Sequence, residues 1–425
     1  SSATFSTRDA GAVRVIAGTL RIDGGGNAQV STGINAGSSG SGNAGSIAIV
    51  ARDIEVVGDG GISTSTIGAG RGGSIDISAE RVRLERGGAI FSVSAGSGDA
   101  GRIALNATES LTLAQGGLIV ANTGGAGAAG LIDLRAGTMT VGGADPVTGQ
   151  RSRISSRAIA GSGGQTGSIA ITVAGALELQ PDALLSIAND AVVADPAALT
   201  PTTIAVQAGS LTLAGADITA AASGNARAGA ITLATAGRLV ATGSRISTTA
   251  VDGDGGAIAI AAAGGVLLKD SAVTTSVLGS ANGNGGDITI AGRWLALASG
   301  FVQANTTAPL ARGGNVVVDV GLLVPDGSNV FVGGSRIASV RTGLAGYNVI
   351  QAAAPDGVAG TLELTRPELN VSGSLVTLLA PVIDFGLIGR DICAADTDSS
   401  FTVLGRGALP APAAAPLRVS PRAPR

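Results

Sequence analysis

The sequence predicts an all-β chain: a parallel β-helix, or β-solenoid, with about 28 residues and three short strands per coil and a C-terminal cap. Three observations lead there. First, one phrase recurs: GSIAIVARDIEVVGDGGISTST from Gly45, GSIDISAERVRLERGGAIFSVS from Gly73 and GRIALNATESLTLAQGGLIVAN from Gly101. Second, aliphatic residues inside each copy alternate with period two, the mark of a strand with one buried face, and no 3.6-residue stripe appears. Third, glycine makes up 69 of 425 residues and aromatics 2%, while apolar residues, mainly Ala, Ile, Leu and Val, reach 45%. Such a chain can bury a core, but a narrow one bounded by many turns.

Each unit opens on an anchor two residues before its first inward aliphatic. The anchors are Gly11, Gly45, Gly73, Gly101, Gly130, Gly167, Thr202, Gly229, Gly256, Gly286 and Gly314. An apolar-x-apolar pair comes after each, such as Ile47/Ile49, Ile75/Ile77 and Ile103/Leu105. A second pair comes seven or eight residues later, as in Ile54/Val56, Val82/Leu84 and Leu111/Leu113. A third, looser element carries Ile62, Ile90, Ile119, Ile154, Ile187, Ile218, Ile246 and Val273. Stacked coils would place Ile47, Ile75, Ile103 and Ile132 in one interior ladder, about 4.8 Å apart. No unit can bury its aliphatic face alone, which is why the phrase returns. The glycines are expected at turns, where positive φ costs glycine little.

Longer units locate excursions. ADPVTGQRSR lies in the unit from Gly130, and PDALLSIANDAVVADPAALTP in the unit from Gly167. Residues 1–325 are expected to form the repeat region, 326–409 a cap and 410–425 a Pro/Ala-rich extended tail. TFSTRDAGAVRV parallels IFSVSAGSGDAGRIAL, so Ser1 is expected in the third strand of an earlier coil. An uncovered first edge would favour end-to-end self-association.

Units of the form Gly42-Asn43-Ala44-Gly45 and Gly61-Ile62-Ser63-Thr64-Ser65-Thr66 resemble the filamentous-haemagglutinin-type exoproteins of two-partner secretion. The ending is similar too: PELNVSGSLVTL from Pro367, then Cys393, then SSFTVLGRGALP from Ser399. The resemblance implies a right-handed parallel β-helix, exported by an outer-membrane two-partner-secretion transporter to the surface of a Gram-negative bacterium or beyond. It also implies a role in attachment or a surface layer, with a glycan or a host or matrix surface as partner. The family's secretion domain is not visible in these residues, so the transporter is expected of a parent chain.

Composition narrows the chemistry. With no histidine, neither a Ser-His-Asp triad nor a His-containing zinc site can be built. The single cysteine, Cys393, allows no intrachain disulfide, and a net charge of −3 without basic stripes gives nucleic-acid binding no support. A polysaccharide-active β-helix needs carboxylates in one groove. The outward first-strand column holds two, Asp76 and Asp133, two coils apart, with no third polar group in that column. Two solvated aspartates are the expectation. Asp252 and Asp254 in DGDGG are expected in a solvated turn, and GAGRGG from Gly68 in a turn rather than a phosphate loop. Thr64 and Thr66, matched to Val93, Val120, Ser155, Thr248 and Thr274, do not make a regular Thr-x-Thr array. Cys393 beside Asp391 is expected to be a quiet thiol, and Trp294 to pack beside Leu295.

No catalytic, cofactor or metal residue is therefore assigned. The expected function is that of a rigid adhesive rod. The alternatives are a polysaccharide-active enzyme and a passive surface-layer scaffold.

Overall fold

Aliphatic alternation is realised as strands stacked in parallel along two long sheets. The structure is a computed structural model and describes residues 1–26, 32–279, 283–309, 311–328 and 330–365. They belong to one unit of dense contacts, Ser1–Pro367. The chain winds as a β-solenoid: Val13–Asp23, Ile47–Val57, Ile75–Glu85, Ile103–Ala114 and their successors pair in sequence order. Each return of the chain adds one parallel rung on a 16-stranded sheet and one on a 12-stranded sheet.

Up to Thr203–Ala214, each coil has two strands rather than the expected three. The two predicted inward pairs, such as Ile75/Ile77 and Val82/Leu84, lie on one continuous strand, Ile75–Glu85. The bend between them is absorbed inside the strand, where register shifts between Ala79 and Arg81 against Ala107 and Ser110. An irregularity of this kind bends a strand without ending it. From Ala230–Thr235 and Arg238–Thr242 onward the long strand divides, and these coils have the expected three.

The predicted ladder is present. Ile75 pairs with Ile47 on one side and Ile103 on the other, and all three are fully buried. Complete burial of such a side chain stabilises by roughly 1.5–3 kcal/mol, and every rung adds several to the same core. The third-strand ladder needs one correction. Leu185, not Ile187, pairs with Ile154 and Ile218. Ile187 is also buried but stands in the next inward column, opposite Ser156. The segment Leu184–Asn189, expected to project, is thus a strand of the solenoid. The excursion is confined to the residues after Asn189, with a 3-10 turn at Pro196–Ala198 capped by Asp195.

The glycine columns have a different cause from the expected one. Gly45, Gly73 and Gly101 do not adopt positive φ. They stack on one another. A β-carbon on Gly73 would overlap the carbonyl oxygen of Gly45, and one on Gly101 would overlap that of Gly73. Close approach of successive backbones, rather than turn conformation, excludes a side chain here. Positive φ is concentrated at the opposite corner, as in Asp59, Arg86 and Gly87.

Parallel pairing runs past residue 325. Asn348–Gln351 pairs with Phe301–Thr306, and Leu362–Leu364 with Val316–Val320. Residues expected at the start of a cap therefore add further rungs. Just before Asn348–Gln351, residues 333–347 lie against the third-strand face. Asp270 accepts from the Gly343 amide, Ser299 donates to the Leu344 carbonyl and Gln303 to the Ala338 carbonyl. Tyr347 meets Phe301 edge-on, with ring centroids 5.6 Å apart. The ending from Pro367, with Asp391, Cys393 and the tail 410–425, lies outside the described residues.

Candidate functional site

Period-two alternation sends the residue between two inward aliphatics out to solvent. In the first strand this makes the column Ala48, Asp76, Ala104, Asp133 and Ala170, as predicted. Alanine at position 104 leaves a gap one rung high between two carboxylates. The neighbouring columns supply what the single column lacks. Arg102 stands just before the strand Ile103–Ala114, on the same rung as Ala104 and Asn106. Its guanidinium donates to Asp133 at 2.7 Å and approaches Asp76 at 3.9 Å. Arg135, two residues after Asp133, reaches back to within 3.7 Å of it. The result is a shallow depression of about 270 Å3 with Ala104 on its floor.

An acid–base pair for glycoside cleavage needs carboxyls about 5–9.5 Å apart, one of them kept protonated by an apolar surround. Asp76 and Asp133 stand two rungs apart, about 9–10 Å along the stack. One guanidinium lies between them, and the Asp76 side chain is 53% exposed. Arg102 escapes a reading of the sequence one column at a time, because its side chain leans across rungs.

The same cross-rung logic continues along the outer surface. Arg81 donates to Asp53 on one neighbouring coil and Glu109 on the other, both at 2.6 Å. These two hydrogen bonds hold the Arg81 guanidinium well above its ordinary value. Hydrogen bonds from Arg81 and then Arg52 hold Asp53 below the usual carboxylate range. Arg21 pairs with Glu55 and Asp23 in the same manner.

Thr64 and Thr66 are not on a surface. Both are buried, and the third strand places Ser92 and Ser94, not Val93, beside them. The expected match to Val93 is one residue out, which exchanges the two faces of a strand. Thr64 donates to the Gly73 carbonyl at 2.6 Å, Thr248 to that of Gly256 at 2.6 Å and Thr275 to that of Gly286 at 2.5 Å. These hydroxyls tie each third strand to the anchor glycine of the next coil. The signal lies in the sequence as a Ser or Thr eight to eleven residues before each of these anchors.

Asp254 accepts from the backbone amide of Asn284, and Asn284 in turn from that of Arg312. The DGDGG turn thus joins an inter-coil ladder of side-chain acceptors that includes Asn43 and Asp99. Among the described residues no group of three or more His, Cys, Asp or Glu side chains is placed to hold a metal. The Trp294 indole packs on the α-carbon of Gly265, one coil back, where a β-carbon would strike the ring. Gly68–Gly73 forms a turn whose glycines stack on Gly40, Gly42 and Gly45.

Compared with known protein families, curated proteins and solved structures, the chain matches none.

Proposed function

We propose that the chain is a rigid, non-catalytic rod of a secreted bacterial surface exoprotein of the filamentous-haemagglutinin type, working in attachment or biofilm. The observation that supports this most is unbroken parallel stacking: first-strand rungs succeed one another in sequence order from Val13–Asp23 to Leu362–Leu364. A rod of that kind displays shallow polar patches at fixed spacing, so attachment would come from repeated weak contacts. Export by an outer-membrane partner of the parent chain and a place on the Gram-negative surface belong to the same reading. They rest on the resemblance of Gly42-Asn43-Ala44-Gly45 and Gly61-Ile62-Ser63-Thr64-Ser65-Thr66. Beads coated with the protein should be retained on bacterial or host-matrix layers more than beads coated with an unrelated solenoid. Equal retention of the two would contradict the reading.

The grouping of Asp76, Arg102 and Asp133 favours a second reading. Two carboxylates two rungs apart beside arginines are the raw material of a polysaccharide-cleaving site. Under that reading, incubation with neutral and acidic glycans releases reducing ends, and Asp133→Asn abolishes the release. Under the rod reading no glycan is shortened.

A further inference from the structure

The third-strand face carries a cation to which the described residues offer no counter-charge. Arg153 opens the strand Arg153–Ala158, and its aliphatic stem is flanked by Leu118 on one coil and Leu184 on the next. The side chain is half-buried, and its Nε is buried with no hydrogen-bond partner. The other arginines nearby are engaged. Arg157 pairs with Asp190 at 2.5 Å, and Arg151 with Asp217 at 2.8 Å. Asp190 and Asp217 are thereby used. Ser155, between Arg153 and Arg157 in the alternation, is buried. Burial, with a further contribution from the charge of Arg157, holds the Arg153 guanidinium below its ordinary value. A buried donor without a partner costs stability, so its presence calls for a reason.

We propose that the Arg153 guanidinium binds a carboxylate of an acidic polysaccharide on the outer face of the third-strand stack. The guanidinium is a planar fork suited to a two-oxygen anion. Its half-burial strengthens charge-assisted hydrogen bonds relative to open water. A linear polymer suits the setting, because coils stack in register on both sides of Arg153. The inference rests on the attachment reading and gives it a ligand class.

The test is calorimetric titration of the 425-residue protein with an oligogalacturonate. Free galacturonate and a neutral cello-oligosaccharide of equal length are the comparison probes. The oligogalacturonate binds, the neutral oligomer does not, and the free monomer binds more weakly than the oligomer. Arg153→Met weakens oligogalacturonate binding at least tenfold. The same variant raises the unfolding temperature of the unliganded protein by about 2 °C, because a desolvated, unpaired cation has been replaced by an apolar chain. Arg153→Lys keeps the charge but loses the fork, and binds at an intermediate level. Unchanged affinity in Arg153→Met overturns the proposal, and so does a fall in its unfolding temperature, which would make Arg153 a structural residue. Retention of coated beads with no oligogalacturonate binding removes the ligand assignment and leaves the rod reading standing. Loss of both removes the two together.

Discussion

Thr64 donates its hydroxyl hydrogen to the carbonyl oxygen of Gly73, 2.6 Å away and one coil corner on. Both groups are buried. The bond joins the end of one third strand to the start of the next coil, so it sets where the next rung begins. Thr64→Val keeps the shape and removes the donor, leaving the Gly73 carbonyl without it. A destabilisation of about 1–2 kcal/mol is expected in urea unfolding, and Thr64→Ser should recover most of it.

Stacking of glycine on glycine predicts a steep cost at one position and none at another. Gly73→Ala places a methyl group against the Gly45 carbonyl and must separate two rungs. The expected loss is on the order of 3 kcal/mol or more. Gly18→Ala, on the strand Val13–Asp23, meets nothing within 4 Å and has ordinary φ. It should leave stability unchanged or raise it slightly. Matched thermal melts of the two variants distinguish close stacking from turn conformation as the reason for the glycine columns.

Arg81 bridges Asp53 and Glu109 in the open. Exposed pairs are screened by salt. Arg81→Gln should lower the unfolding midpoint modestly in dilute buffer, and the difference should vanish in about 1 M salt. The sign for pH is set by Asp53, held below the usual carboxylate range in the folded state. Its contribution is present above the unfolded-state value and is lost as pH falls through the lower folded value, that is, below about pH 4. Midpoints of the wild type and Arg81→Gln should therefore converge on acidification.

Asp326 anchors the base of the segment over the third-strand face. It accepts from the Asn348 side-chain amide at 2.7 Å and from the Gly346 backbone at 3.1 Å. The Asn348 bond first, then the backbone bonds, hold this carboxyl below its ordinary range. Protonation below about pH 4 removes that preference, and the segment should loosen before the solenoid unfolds. Tyr347, the only tyrosine, reports this directly. Its ring resonances should sharpen and lose contacts to Phe301 in acid, while Asp326→Asn should keep them constant over the same range.

The aliphatic interior was legible because two periods coincide there. Alternation chooses the face, and the coil repeat chooses the column, so Ile47, Ile75 and Ile103 could be aligned without knowing any turn. The column through Asp76 and Asp133 was legible for the same reason. Arg102 was not, since it sits outside that column and acts by the reach of its side chain. The partner of Thr64 lies one residue from the expected one, because the loose third strand offers few aliphatics to fix register. Leu185 and Ile187 are both aliphatic and two apart, so the pattern alone did not say which continues the Ile154 ladder. Neighbouring backbones that exclude a β-carbon leave the same glycine trace in sequence as a turn does.

In a single stack, distance grows with rung number rather than residue number. Dipolar spectroscopy reads that relation without intermediaries, using nitroxides on outward alanines of the first-strand column in a Cys393→Ser background. Labels at Ala48 and Ala170 are separated by four rungs, and labels at Ala48 and Ala259 by seven. At about 4.8 Å per rung, a continuous solenoid gives separations near ~19 Å and ~34 Å, rising linearly through intermediate positions. Equal separations for the two pairs, or a broad distribution in either, would contradict it.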